Sequence, residues 1–310
     1  VIEETTMTTS TIENRTLPWS GLSTGITSEI VDSQNLLQSA GLDFDVAIRP
    51  MWRRLSDGNF VQDLRDREVY RTDTEHKLGT VKTRYEIFQN RDAFTFGDEL
   101  VKGGHGQWVE AGCRNDGRHV FMTMKLGEGF TVAGQDAYDL YLFLRTSHDG
   151  STGVSAHVVP FRVWCLNQTG LVMKEHVSSW TVQHTTSLAQ KLTEAKAALQ
   201  LSQSYGAALQ TRLEDLVKNP VSKMHVKSLL EKIVPETRPK REEMIDGIMN
   251  NLKDSPNLEG YRDTAYGALN AVTEWYDHLK TQRTPVARFD SIMAGEGAKM
   301  RNQLALALAA

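Results

Sequence analysis

Two apolar runs joined by a polar turn mark the centre of the chain. Residues 139–171 read DLYLFLRTSHDGSTGVSAHVVPFRVWCLNQTGL. Leu140 to Leu144 is apolar almost without interruption, the pattern of a strand covered on both faces. Val154 to Leu166 returns after Ser147-His148-Asp149-Gly150-Ser151. Pro160 within it requires a bulge or an edge position, because proline donates nothing to a ladder.

Upstream, Leu42, Phe44, Val46 and Ile48 alternate with polar residues at the strand period, and Pro50 is expected to end that strand. A short helix is expected before it, capped by Thr27 or Ser28, carrying Ile30, Val31, Leu36 and Leu37 and stopped by Gly41. Between Arg53 and Arg71 no period is clear. Arg53, Arg54, Arg65, Arg67 and Arg71 are interleaved with Asp57, Asp63, Asp66 and Glu68, which reads as an irregular, solvated excursion. Gly79 to Phe88 alternates again, with Val81, Thr83, Tyr85 and Ile87 on one face and Lys82, Arg84 and Glu86 on the other. Asn90 is a cap for a helix through Val101. Asn115-Asp116-Gly117 is a hairpin signal whose second arm places Val120, Met122, Met124 and Leu126 on one face.

After Trp180 the period lengthens. Ser187 and Gln190 resemble a capping box, and Leu188, Leu192, Ala195, Leu199, Ser202, Gly206, Leu209, Leu213 and Leu216 follow at spacings of three and four. That is a long amphipathic helix whose small residues, Ser202 and Gly206, admit another helix or mark a bend. Further helices are expected after Ser222, after Thr237-Pro239, over Leu258–Leu279, and from Thr284-Pro285 to a break at Gly295-Glu296-Gly297. The expected fold class is α+β: a mostly antiparallel twisted sheet with packed helices, then a helical C-terminal half. The expected divisions are a disordered segment 1–16, a sheet domain 17–178 and a helical region 179–310.

Composition adds limits. With 310 residues, 40% hydrophobic and 24% charged, the chain can bury a sizeable core. A formal charge of −4 excludes coating of nucleic acid by bulk charge and leaves only a local basic patch. Cys113 and Cys165, without a CxxC or a His/Cys cluster, are expected as reduced, buried thiols; neither a metal nor a cofactor is expected. No basic start followed by an apolar run suggests a signal peptide, and no run approaches membrane-spanning length, so a cytoplasmic location without membrane contact is expected.

Phosphate-loop, dinucleotide, zinc-protease and nucleophile-elbow patterns are missing from the sequence. His148-Asp149 is the candidate for catalysis, since a carboxylate beside an imidazole orients a general base or holds a divalent metal. Against it, Asp149-Gly150 also suits a plain hairpin turn with His148 as its cap. Arg145 and Arg162 lie on the two arms of that turn. With Lys82 and Arg84 on a neighbouring strand they would form a basic stripe for phosphates, Trp164 or Tyr141 adding stacking. Asp139 or Glu86 would instead neutralise them as ordinary cross-strand pairs. Gly295-Glu296-Gly297 either presents helix amides to a phosphate or simply breaks a helix.

Several segments together carry a resemblance: PWSGLST, AGLDFDV, GTVKTRYEIFQNRDAFTFGDEL, LRTSHDGSTGVSAHVVPFRVWCLNQT, SLAQKLTEAKAALQLSQSYG, RDTAYGALNAVTEWYDH and RFDSIMAGEGAKMRNQLA. From about Trp19 onward the chain resembles the phage/plasmid-like protein family that carries the domain of unknown function 932. Trp164 and Leu166 depart from its pattern. The resemblance implies a phage, prophage or plasmid gene accompanying replication and recombination functions, and it supplies no catalytic residues. The expected function is a non-enzymatic nucleic-acid-binding accessory of phage DNA replication or recombination, including single-strand annealing. Single-stranded DNA would be its partner, with homo-oligomerisation through the helical half. The alternatives are a metal-assisted enzyme centred on His148 and Asp149, and a host-interaction protein.

Overall fold

The computed structural model describes residues 15–25, 32–173, 178–181 and 188–309. The expected disorder of 1–16, the caps at Thr27, Ser28 and Ser187, and the side chains of Leu188 and Leu192 fall wholly or mostly outside what is described.

Strand β1 (Ser23–Gly25) and helix α1 (Ser33–Ser39) come first. Asp32 caps α1, accepting from the Asn35 amide, and Gly41 ends the turn beyond it at φ +66°. Strands β2 (Val46–Arg54), β3 (Phe60–Arg71) and β4 (Lys77–Lys82) then form a three-stranded antiparallel sheet of their own. Helices α2 (Asn90–Ala93) and α3 (Thr95–Lys102) lead into the large sheet. Its strands are β5 (Gly106–Arg114), β6 (His119–Leu126), β7 (Phe130–Val132), β8 (Asp136–Ser147), β9 (Ser155–Arg162), β10 (Asn167–Gln168) and β11 (Ser179–Thr181). The order is β1-β5-β6-β8-β9-β10, with β7 on β8 and β11 on β9, antiparallel throughout.

Strand alternation explains why β8 is apolar at every position from Leu140 to Leu144. Leu140, Leu142 and Leu144 join Val120, Met122 and Met124 of β6 in the main core. Tyr141 and Phe143 face the other way, into an aromatic cluster with Trp19, Phe121, Phe161 and Phe289. Trp19 is fully buried there, so Trp19 and Phe289, 270 residues apart, close the second face. Pro160 falls where the outer edge of β9 passes from β11 to β10, a place a missing N–H is tolerated.

The helices are α4 (Leu188–Lys218), α5 (Lys223–Ile233), α6 (Arg241–Asp254), α7 (Ala265–Glu274), α8 (Pro285–Met293) and α9 (Glu296–Ala307). Ser222, Thr264 and Thr284 cap α5, α7 and α8. The stretch expected as one helix over 258–279 is divided. A 3-10 turn (Pro256–Leu258) precedes α7, and a π-turn (Trp275–Leu279) follows it. The seam of α4 is buried in the chain's own core: Leu209 and Leu213 are inaccessible, and a Cβ on Gly206 would lie 2.9 Å from Leu140 Cδ1. The small residue admits strand β8, not a second helix. One core therefore runs from Leu36 to Leu308 through both the strand-rich and the helical parts. Among the described residues no helix is long and apolar enough to cross a membrane.

Candidate nucleic-acid interface

The segment expected as an irregular excursion is instead a regular hairpin, and this is the main correction to the sequence reading. Pro50 does not end β2; a bulge between Pro50 and Met51 absorbs it, and the ladder continues to Arg54 paired with Phe60. The Asp57-Gly58 pair builds the tip: Gly58 takes φ +92°, Asp57 accepts from the Asn59 amide at 3.0 Å, and the Leu55 amide donates to the Asn59 carbonyl at 2.7 Å. On the β3 side of the bulge, Asp63 accepts from the Arg65 and Asp66 amides, which holds its carboxyl below the usual range.

This arm is dressed unlike the rest of the surface. Trp52 is 59% exposed and Phe60 66%, with Leu55, Val61 and Leu64 also exposed. Because Trp52 pairs with Gln62 and Arg54 with Phe60, those four side chains share one face. Trp52 and Phe60 thus occupy diagonal positions across the ladder, roughly 7–8 Å apart along the backbone by strand geometry, with Arg54 on the same face. None of Arg53, Arg54, Arg65 and Arg67 forms an ion pair with another described residue, although Arg53 and Arg65 feel the Asp63 charge. Arg49, Gln62 and Arg67 border a concavity of about 300 Å³ at the bulge. Nearer the body, pairing resumes: Arg49 binds Glu68 and Glu75, and Arg71 binds Asp73 while covering the Phe44 ring.

The residues expected to form a basic stripe are dispersed. Register places Arg162 opposite Tyr138 and Arg145 opposite Phe121 and Ser155, so the two arginines lie on opposite faces of the large sheet. Arg162 is 4% exposed and its Nε reaches both oxygens of Asp136, at 2.8 and 2.7 Å. Asp136 also accepts from Tyr266 at 2.5 Å, and Tyr266 meets Tyr138 at 2.6 Å. Arg145 is half-buried, bound to Ser155, with burial and Arg114 lowering its pKa. Lys82 is on the small sheet, paired with Asp66 at 2.6 Å, and Arg84 sits in the turn that ends β4, not on a strand. Of the aromatics named for stacking, Tyr141 is buried and Trp164 is half exposed on the turn after β9.

His148 and Asp149 are a docking point. His148 is inaccessible, its Nε2 is 2.8 Å from Asn90 Oδ1, and burial pushes its pKa down to about 4, against the pull of Asp149. Asp149 accepts from the Ser151 amide as the turn expects and faces His119 at 3.3 Å. A Cβ at Gly79 would lie 2.6 Å from Asp149 Cα, so strand β4 packs directly on this turn. The turn joins the small sheet to the large one. Among the described residues no group of three or more His, Cys, Asp or Glu is placed to hold a metal ion.

The match to known families follows the sheet and most of the helices. Residues 77–293 match the family described as domain of unknown function (DUF932). The chain belongs to that family. No curated protein and no solved structure matches the chain. The match begins at β4, so the projecting part of the β2–β3 arm lies outside it. Sequence reasoning missed the arm because its exposed strands lack alternation, yet Asp57-Gly58 was the hairpin signal that would have found it.

Proposed function

We propose that this protein is a non-enzymatic nucleic-acid-binding accessory of phage or plasmid DNA replication or recombination, and that it engages single strands through the β2–β3 arm. The observation that carries the reading is Trp52 and Phe60, both exposed, on one face with Arg54. Aromatic faces stack on unpaired bases regardless of sequence, and neighbouring arginines follow the phosphates. A body of net charge −4 then needs only this local patch, since long-range attraction from the whole chain is not what drives contact. Each arginine of the arm that neutralises a phosphate adds roughly 0.7 to the slope of log K against log salt on single strands.

The test is a titration of the protein with single-stranded and duplex oligonucleotides of equal length at low salt, followed by Trp fluorescence. Stacking on Trp52 predicts quenching by the single strand and much less by the duplex. Equal response to both, or none to either, overturns the reading. The enzyme alternative draws no support from the geometry around His148: the imidazole is sealed and already bound to Asn90.

A further inference from the structure

A second concave site is built from elements far along the chain from the arm. A cleft of about 420 Å³ lies between β9, the residues after β10, α4 and the α8–α9 junction, bordered by His157, Gln168, Tyr205, Ala294, Lys299 and Arg301. That volume is in the range of small-molecule sites. Its described lining contains two permanent cations and no carboxylate.

Tyr205 is wholly used in holding the wall, since its hydroxyl accepts from the Leu171 amide and donates to the Leu171 carbonyl. Arg301 is not. Only 2% exposed, it donates from Nε to the Gly170 carbonyl at 3.0 Å and from Nη2 to the Ile292 carbonyl at 3.4 Å. Its Nη1 is buried without a partner among the described residues. A sealed guanidinium nitrogen left unsatisfied is costly, and a ligand oxygen removes that cost. Gln168 adds a second open group: it is 6% exposed and its Oε1 has no partner, while its backbone amide donates to Asp277. Asp277, whose charge acts on Arg301, also keeps one buried oxygen, Oδ1, without a partner among the described residues, and burial raises its pKa to about 7. Lys299, exposed at the rim and in no ion pair with a described residue, supplies the second charge. Ala294, before α9, and Ala298, in its first turn, border the same cleft.

We propose that this cleft binds a small phosphate-bearing molecule of about mononucleotide size, the phosphate meeting Arg301 and Lys299 and Gln168 accepting from a donor on the rest of the ligand. Arginine at the floor suits a phosphate, which its planar fork matches.

The test is calorimetric titration of the full chain with deoxyadenosine monophosphate, inorganic phosphate and deoxyadenosine. Binding of the nucleotide, competition by phosphate and weaker binding of the nucleoside are expected. Lys299→Ala, on an exposed side chain, should leave the melting temperature unchanged and weaken the nucleotide about tenfold, the worth of one charge-assisted bond; Arg301→Lys should weaken it at least as much. A Trp52→Ala/Phe60→Ala protein should bind the nucleotide as wild type does, which separates this site from the arm. No binding of nucleotide or phosphate at millimolar concentration, indifference to Lys299→Ala and Arg301→Lys, or loss of binding with the arm variant would each overturn the proposal.

Discussion

Replacing Arg162 by methionine separates the two roles this arginine has been given. As a surface contact for phosphates it could be removed with no effect on folding. The structure places it inside, with Asp136 2% exposed and ligated through both oxygens by one guanidinium nitrogen. The methionine fills most of the same volume but leaves a buried carboxylate with only Tyr266 to support it. Breaking one partner out of a buried pair typically costs about 3–5 kcal/mol, because the remaining charge is desolvated and uncompensated. For a chain of this size that corresponds to a fall of roughly 5–8 °C in melting temperature. Replacing both members, Arg162→Met with Asp136→Leu, should restore most of the loss, since a well-packed apolar pair does about as well as the ion pair. Thermal unfolding followed by circular dichroism reads all three proteins. A single Arg162→Met variant that melts with the wild type would refute the buried-pair account and return Arg162 to the list of surface contacts.

Other outcomes follow from the same structure. His148 has a folded-state pKa near 4 against an ordinary value of 6.5, so it contributes stability fully present above pH 6.5 and lost as pH falls toward 4, up to roughly 3 kcal/mol. His148→Gln should flatten the fall in urea midpoint between pH 6.5 and 4; an unchanged slope would contradict the assignment. Asp277 has the opposite sign. With its pKa raised to about 7 by burial, its contribution is greatest below pH 3.8 and declines as pH rises through 7, so Asp277→Asn should stabilise the protein more at pH 8 than at pH 5. Equal effects at both pH values would show that its charge is not strained. Gly206→Leu should destabilise by about 1–3 kcal/mol by driving a side chain into Leu140, measured as a shift in urea midpoint; a neutral effect would mean that α4 does not lie on β8.

What the chain's pattern disclosed depended on burial. β8 was legible because both of its faces are covered, and β6 because Val120, Met122, Met124 and Leu126 alternate against a core. The capping hydroxyls of Ser222 and Thr284 marked their helices for a local reason, satisfaction of the first amides. The arm was illegible for the opposite reason. Its outer ladder buries nothing, so no hydrophobic period records it, and Pro50 suggested a stop where the structure has a bulge. The arginines 145 and 162 shared neighbouring strands in sequence but fell on opposite faces, a matter of register that pattern alone does not set. The seam of α4 was legible as an apolar stripe, but sequence does not distinguish a partner helix from the chain's own core, where Leu209 and Leu213 lie. Tyr266, which reaches Asp136 from 130 residues away and Tyr138 from 128, carried no local signal at all.

The central claim is that the arm's aromatic face binds single strands. The direct measurement is fluorescence anisotropy of a labelled oligothymidine with wild-type protein and with Trp52→Ala/Phe60→Ala, each at 50 and 200 mM salt. Since both rings are largely exposed, the variant should melt as wild type does. It should lose at least about tenfold in affinity, stacking being worth roughly 1–3 kcal/mol per base, while the wild type weakens steeply with salt. Wild-type affinity in the double variant, or no binding by the wild type at 50 mM salt, would contradict the account.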